Sequence, residues 1–460
     1  MRTGVVRIQD IVAEGRRLTG GFHVSEDQRA IASLRRAMAL KSPLKSLVGG
    51  RGIFRGPMFS RMYVDDPSHG EPYVSARDIV TAFVRPAGYL SRKHGQLLDD
   101  LRLNEGMILV TRSGMNLGSA IWTRRDMHGL VASDDLIRIQ PDAKAVPPGF
   151  LFTFLASRYG NALIRKQIYG GHIKHIEPEH IAGLPVPRLG ASLEGSVDKL
   201  IAQATRLRDQ AAASQHQAIE RVHELLGWGQ VPTTNIASAS ASALQRRMDA
   251  FHHLPKVAAA RKSLGRRAVA VLEKRVESVF EANRGPRLKV DDPALGVPFL
   301  SSSEVFRLDP VGEYSISRAR TPNVEKLLVS ERDLLLPRSG QLGGIIGRAV
   351  LPLPTCYGHA ASEHLVRVRC RSMADACFLW AVFASEPGYL ATIGTAFGSS
   401  IPSLDTDLLG EMQVPWFDDT TRAELTKLVA FAVEANTQAI HAERKAMRMV
   451  EEAIEKGAAN

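Results

Sequence analysis

The chain matches itself. Shifted by 226 residues, Pro72, Tyr73, Val74 and Ser75 fall on Pro298, Phe299, Leu300 and Ser301, and the run from Gly106 to Gly114 falls on Arg332 to Gly340. Further along, the offset drifts by two or three residues. Ser133-Asp-Asp-Leu-Ile-Arg138 then pairs with Ser362-Glu-His-Leu-Val-Arg367, and Phe150-Leu151 through Ala156-Ser157 pairs with Phe378-Leu379 through Ala384-Ser385. Two copies account for nearly all 460 residues. The chain is therefore a duplicated module, and the period is far too long for a solenoid.

At 44% hydrophobic and 23% charged, each copy has enough apolar residues for a substantial core. Three cysteines, Cys356, Cys370 and Cys377, all lie in the second copy without paired close spacing. That argues against a disulfide framework and for a reducing compartment. The N-terminus carries no apolar signal region, and no run of eighteen apolar residues occurs, so the expected setting is soluble and cytoplasmic, with no membrane partner.

A formal charge of +11 makes a polyanion the default partner. The basic residues gather between Gln245 and Lys289, where Arg246, Arg247, Lys256, Arg261, Lys262, Arg266 and Arg267 are followed by Lys274, Arg275, Arg284, Arg287 and Lys289. Any one such cluster also fits a solvated helix face. The excess over the whole chain sets a long-range field that a local explanation does not remove.

Each copy reads as a mixed α/β module followed by a long helix. Met107–Val110, Leu136–Ile139, Leu334–Leu336 and Leu365–Val368 are strand-length apolar runs, and Phe150–Ile168 and Phe378–Ile393 read as buried helices. Each module closes on a proline exit, Pro185-Val-Pro187 or Val414-Pro415. The expected boundaries are 1–188 and 229–416 for the modules, with helices at 189–228 and 417–456.

Along the first helix Leu193, Val197, Leu200, Ala204, Leu207, Ala211, Ser214 and Ala218 step by four and three. Along the second, Leu425, Leu428, Ala432, Ala435, Ala439, Ala442, Ala446 and Met449 do the same. This spacing predicts an antiparallel coiled coil, with the alternative that each helix packs on a local core. Residues 193–226 would span roughly 50 Å, comparable to about 15 base pairs at ~3.4 Å each. An alanine seam buries little area, and Ile201, Ile219, Val222, Val429, Val433, Ile440 and Met447 lie off it. They form a second apolar face for a partner protein or for the modules' own cores. Leu200, Leu207, Ile219, Leu428, Val433 and Ile440 are the candidate partner-binding positions.

Catalytic motifs are missing. There is no Gly-Lys-Ser/Thr, no dinucleotide fingerprint after a strand, and no Asn/Asp-Pro-Pro-aromatic signature of amino-methyltransferases. Binding is the better class. His172, His175 and His180 fall within nine residues, a spacing that invites zinc. The second copy has Ser400 and Ser403 where the first has His172 and His175, so no metal is assigned. These residues, with Lys174, Ser399 and Ser400, read instead as loop residues near nucleic acid.

The loops Arg112-Ser113-Gly114 with Asn116, and Arg338-Ser339-Gly340 with Gln341, place a guanidinium and an amide on a turn after a strand. Arginine reads guanine bidentately, and asparagine or glutamine reads adenine. The alternative is a glycine-built turn whose arginine pairs with a carboxylate. Arg92, Lys93, Arg287 and Lys289 complete the candidate DNA-binding set.

With these residues in hand, the chain resembles the specificity (S) subunits of type I restriction-modification systems. The resemblance is carried by Tyr169-Gly-Gly-His-Ile-Lys-His-Ile-Glu-Pro-Glu-His-Ile-Ala-Gly-Leu-Pro-Val-Pro187, by its counterpart Phe397-Gly-Ser-Ser-Ile401 through Val414-Pro415, by the paired Arg-Ser-Gly loops, and by Arg247-Met-Asp-Ala-Phe-His252 at the start of the second module. It implies two target recognition domains, each followed by a conserved helix. It also implies a non-catalytic subunit that reads an asymmetric, split site on double-stranded DNA. Its expected partners are adenine methyltransferase subunits, which would carry the S-adenosylmethionine, together with a restriction or translocase subunit. The chain itself would bind no cofactor. Rival readings are a stand-alone DNA-binding regulator and a protein-binding scaffold.

Overall fold

A computed structural model describes residues 6, 8–13, 25–86, 88–114, 116–169, 174–229, 231–232, 234, 236–238, 240–244, 247–283, 285 and 287–459. The chain divides into two units. The first comprises 1–80, 84–209 and 439–460; the second comprises 81–83 and 210–438.

In the first unit Val48–Arg55, Leu136–Pro141, Ile108–Thr111 and Ala120–Trp122 form an antiparallel sheet in that spatial order. A second sheet runs Tyr63–Val64, Gly88–Ser91, Gly70–Val74 and Val131–Ala132, its last pair parallel. Lys41–Pro43 pairs with the exit strand Pro185–Pro187.

The second unit repeats this plan. Ser278–Glu281, Leu365–Arg369 and Asp333–Pro337 make the first sheet. Lys289–Val290, Tyr314–Ser317, Gly296–Leu300 and Ala360–Ala361 make the other, again with its last pair parallel. Ala268–Val271 meets the exit strand Gln413–Pro415. Register repeats too. Leu109 faces Arg138 and Tyr73 faces Val131 in one unit; Leu335 faces Arg367 and Phe299 faces Ala360 in the other. A one-residue slip would turn every side chain to the opposite sheet face, so matching registers mean matching cores.

The buried helices expected at 150–168 and 378–393 each break in two. Pro148–Ala156 is followed by Arg158–Lys166, and Met373–Ala384 by Glu386–Ile393, the latter pair bent by 83°. Ser157 and Ser385 cause the break. Each is extended, ends one helix, and caps the next by accepting a hydrogen bond from the amide of Gly160 or Gly388. The bend presses the second helix onto the first. A Cβ on Gly160 would lie 2.1 Å from the Phe154 carbonyl oxygen, and one on Gly388 would lie 1.9 Å from that of Val382. The signal was present in both copies as Ser-x-x-Gly.

Ala191–Leu226 and Asp419–Ala459 are the two long helices, and each contributes to both units. In the first unit Val197, Ile201, Ala446, Val450 and Ile454 join Ile31, Leu34, Ile108, Phe150 and Phe154 in one core, while Ala204 packs on Ala439 and Ala442 with Leu200 and Leu207 alongside. In the second unit the Ser214 hydroxyl donates to the Leu428 carbonyl at 2.8 Å, and Arg221 meets Glu424 at 3.3 Å, so the pairing is antiparallel.

The second apolar face expected on these helices is covered. Ile201, Ile219, Val222, Val429, Val433 and Ile440 are all buried within the chain. Ile219, Val433 and Ile440 are therefore core positions and do not present a partner-binding face; Leu200, Leu207 and Leu428 are half-buried. The physical reason is the alanine seam itself, which brings the helices close and turns their branched residues toward the modules.

The three cysteines are free and buried, and burial pushes the thiols of Cys370 and Cys377 up to about 12. Among the described residues no single helix is long and apolar enough to cross a membrane.

Within the alanine seam of the first unit, Arg208 is almost fully buried and meets Glu443 through two hydrogen bonds, 2.8 and 2.6 Å long. Removing one partner of such a pair strands the other, whereas replacing both with apolar residues is often neutral. Arg208→Ala is therefore expected to cost about 3–5 kcal/mol in urea unfolding, with the double variant Arg208→Met, Glu443→Leu close to the parent. A single-variant loss below about 1 kcal/mol would place the pair among ordinary surface ion pairs.

Candidate functional site

Each unit gathers its arginines around one turn. In the first unit this is Ser133-Asp134-Asp135, just before strand Leu136–Pro141. Arg138 is fully buried there with no carboxylate at its guanidinium. Nη1 donates to the Leu136 carbonyl at 3.1 Å, and Nη2 donates to the carbonyls of Leu101, Ala132 and Ser133 at 3.0, 3.2 and 3.4 Å. Burial lowers its pKa to about 10, which still leaves it charged at neutral pH. Arg367 repeats the arrangement, donating to the carbonyls of Leu365, Leu327 and Ala361, and burial lowers it likewise to about 10. These arginines were visible in the sequence only as matched strand residues, and their role emerged from the fold.

Arg112 and Arg338 hold the same backbone position. The Arg112 amide donates to the Asp135 carbonyl at 3.1 Å and its carbonyl accepts from Ile176; the Arg338 amide donates to His364 at 2.8 Å and its carbonyl accepts from Leu404. Their side chains take the carboxylate alternative. Arg112 donates to Glu177 from Nη2 at 2.6 Å and from Nε at 3.2 Å, and to Asp135 from Nη1 at 3.2 Å; the side chain is only 13% exposed. Ser113 donates to Asp135. Arg338 donates to Glu281 instead, and Ser339 meets the Ser403 hydroxyl at 2.7 Å. In this structure the Arg112 guanidinium is taken up by two carboxylates, the alternative that the glycine turn allowed.

The partners of these two arginines are inverted between copies. Strand residue Arg55 faces Ile137, and its counterpart Glu281 faces Val366, so the two occupy one register position. In the first unit Arg55 pairs with Glu177 at 3.2 Å, and Glu177 bridges it to Arg112. In the second, Glu281 takes both Arg338 and the Thr406 hydroxyl, while Asp405, which matches Glu177, caps the short helix Thr406–Gly410.

The glycines build the turns as expected. Gly114, Gly118, Gly343 and Gly347 have positive φ, and a Cβ at Gly118 would meet Ile164 at 3.2 Å. Asn116 offers its backbone carbonyl to Ser119 at 3.0 Å, and Gln341 offers its own to Gly344 at 2.9 Å. Beside each loop the chain pairs with itself. Tyr169 bridges His175 in the first unit, and Ala396–Phe397 pairs with Ser403–Leu404 in the second. Lys174, Ser399, Ser400, Phe397 and Ile401 are exposed there. His172 lies outside the described residues. His180 accepts from the Glu177 amide at 3.1 Å and packs edge-on against Tyr169. Among the described residues no group of three or more His, Cys, Asp or Glu side chains could hold a metal.

The remaining candidates lie on or beside the second sheets, Lys289 in a strand and Arg92 and Lys93 in the short helix that follows one. Arg92 donates to Glu71 at 2.9 Å and to the Ser68 carbonyl at 2.6 Å, and its hydrogen bond holds the Glu71 carboxyl below the usual carboxylate range; Lys93 is exposed. Arg287 pairs with Glu363 and lies 4.9 Å over Phe299, and Lys289 lies 4.1 Å over Tyr314. Several other residues of the basic cluster serve internal contacts. Arg247 donates to the Thr395 and Ala396 carbonyls, and Arg275 stacks on Trp416. Lys262, Arg266 and Arg267 remain exposed, and Arg246 and Arg284 lie outside the described residues.

Among solved structures, the S subunit of a type I restriction-modification system from M. genitalium is similar over 92% of this chain and 96% of its own, at 12% identity and a TM-score of 0.37. The HsdS subunit of Thermoanaerobacter tengcongensis is similar over 90% of this chain and 96% of its own, at 12% identity and a TM-score of 0.28. A chain from a study of assembly and conformational transition in the type I R-M system is similar over 90% and 97%, at 12% identity and a TM-score of 0.29. No family model and no curated relative matches the sequence.

The hydrogen bond from Arg112 holds the Glu177 carboxyl below its ordinary range despite partial burial. A carboxyl with a lowered folded pKa contributes stability above its unfolded value and loses it as pH falls through the folded one. Glu177→Gln is expected to lower the melting temperature at pH 7, with the gap from the parent narrowing below about pH 4.5. A gap that stays constant from pH 7 to pH 3 would show that the Glu177 charge contributes nothing.

Proposed function

We propose that the chain is the specificity subunit of a type I restriction-modification system or a closely related DNA-methylation defence system. It reads double-stranded DNA and carries no catalytic residues of its own. The observation that supports this reading is duplication with divergence. Two modules keep the same registers and the same buried arginine, yet differ in the loop sequences that follow, where Lys174 stands against Pro402 and, in the sequence, His172 against Ser400. Modules of one frame with unlike loops suit two unlike half-sites.

In this reading 1–188 and 229–416 are the recognition domains, and 189–228 and 417–456 are the helices that join them. Lys174, Ser399 and Ser400, with Asn116 and Gln341, are the parts that approach bases. Arg112 and Arg338 hold their loops in place. Adenine methyltransferase subunits bring the S-adenosylmethionine, and a restriction or translocase subunit joins where cleavage follows. The charge of +11 supplies the sequence-independent attraction.

Two measurements test the reading. The purified chain, with its methyltransferase, should bind duplex DNA with an affinity that falls steeply as salt rises. Replacing residues 1–188 with another such domain should change one half of the modified motif and leave the other half intact. A change in both halves, or binding indifferent to salt, would contradict it.

A further inference from the structure

The duplication acts as an internal alignment, and it singles out one arginine that the sequence did not. Arg61 in the first unit donates from Nη2 to Asp134 at 2.5 Å and lies 5.8 Å over the Tyr73 ring. Arg287 in the second donates from Nη2 to Glu363 and lies 4.9 Å over the Phe299 ring. The offset from Arg61 to Arg287 and from Tyr73 to Phe299 is 226, that of the strands bearing the rings; Asp134 to Glu363 is 229, that of Arg138 to Arg367. Arginine, carboxylate and aromatic ring thus recur together at equivalent places. Exposure recurs as well: the Arg61 side chain is 37% exposed and that of Arg287 is 35%.

This agreement contrasts with several other charged positions. Position 55/281 reverses charge, 135/364 changes from Asp to His, and 158/386 changes from Arg to Glu; Arg92 recurs as Arg318, but it pairs with Glu71 in one unit and with Glu325 in the other, without a shared setting. A half-exposed arginine with an aromatic seat and a largely buried carboxylate behind it is costly to keep twice unless its target is the same twice. The carboxylate fixes the direction of the guanidinium, and the ring restricts its swing, so little side-chain entropy is lost on binding. The adjoining turn is the one that positions the Arg112 and Arg338 loops.

We propose that Arg61 and Arg287 are the two phosphate-binding arginines of the modules, each taking a backbone phosphodiester of duplex DNA beside the half-site its module reads. The assignment rests on the DNA-reading function above. If the half-sites differ, a contact repeated without change cannot discriminate between them. What both half-sites share is the sugar–phosphate backbone, and a guanidinium matches a phosphate with two parallel hydrogen bonds. Lys289, over Tyr314 in the second unit, stands where the first has Tyr63, so the second module adds a cation beside this shared anchor.

The test uses the full chain with its methyltransferase and two duplexes, one carrying the recognised motif and one of unrelated sequence. Arg61→Ala and Arg287→Ala should each weaken binding to both duplexes by the same factor, in the range of about 5- to 150-fold, and lower the salt slope by about one. Arg61→Lys should restore part of the affinity and most of the slope. Asp134→Asn, which keeps the cation but loosens its direction, should weaken both duplexes less than Arg61→Ala. Melting temperatures near the parent's confirm that the variants are folded. A loss confined to the motif-bearing duplex, or no loss at all while the parent still binds in a salt-dependent way, overturns the phosphate assignment alone. Failure of the parent to bind either duplex overturns the DNA-reading function, and this assignment with it.

Discussion

The first module does not close its core with its own strands and helices. Val197 and Ile201 come from one long helix, Ala446, Val450 and Ile454 from the other, and all five sit among Ile108, Phe150 and Phe154 in a single cluster. At roughly 1.5–3 kcal/mol for each large aliphatic side chain fully buried, losing either helix would remove a large share of the module's stability. In the second unit the long helices are tied to the module by hydrogen bonds, where the Ser263 hydroxyl donates to the Leu226 carbonyl and the Thr426 hydroxyl donates to the Ala374 carbonyl. The long helices are thus structural parts of the modules. The alanines along the seam permit close approach, and the branched residues beside it supply the adhesion.

Around this constraint the two modules preserve backbone and exchange side-chain chemistry. Arg158 meets Glu451 and Glu455 where the second module sets Glu386 against His223 and Trp228. Arg188 pairs with Glu194 where Arg422 stacks on Trp416. Arg55 and Glu281 take opposite charges to hold the same loop. The buried Arg138 and Arg367 do not vary. Each donates to three or more carbonyls, and removing the guanidinium would take a buried donor from all of them at once. Surface partners are weakly constrained because exposed pairs contribute little individually. The buried cradle is strongly constrained, and it persists.

Much of the fold was legible in the sequence because duplication repeats each weak signal. One heptad-like run fits a lone amphipathic helix as readily as a coiled coil, whereas two at the ends of matching modules point to paired helices, as the structure has them. The strands at Leu136 and Leu365 stood out through apolar runs bounded by Ser and Asp. The helix breaks at Ser157 and Ser385 escape apolar periodicity, which continues across them; only the repeated Ser-x-x-Gly marks the cap and the close approach at glycine. The apolar face assigned to a partner was misplaced for a related reason. Periodicity shows that residues such as Ile219 and Ile440 are apolar and off the seam, but it does not show what covers them. The arginine partners were illegible in kind: Arg112 and Glu177 are 65 residues apart and meet only through the turn of the fold.

The central claim is that one frame, used twice, reads two unlike half-sites. It is tested most directly by selecting duplexes from a random pool with the full chain and the methyltransferase proposed as its partner, then sequencing what is retained. The account predicts two short, unlike motifs separated by a fixed gap of unspecified sequence. A single contiguous motif, or two identical halves, would contradict it.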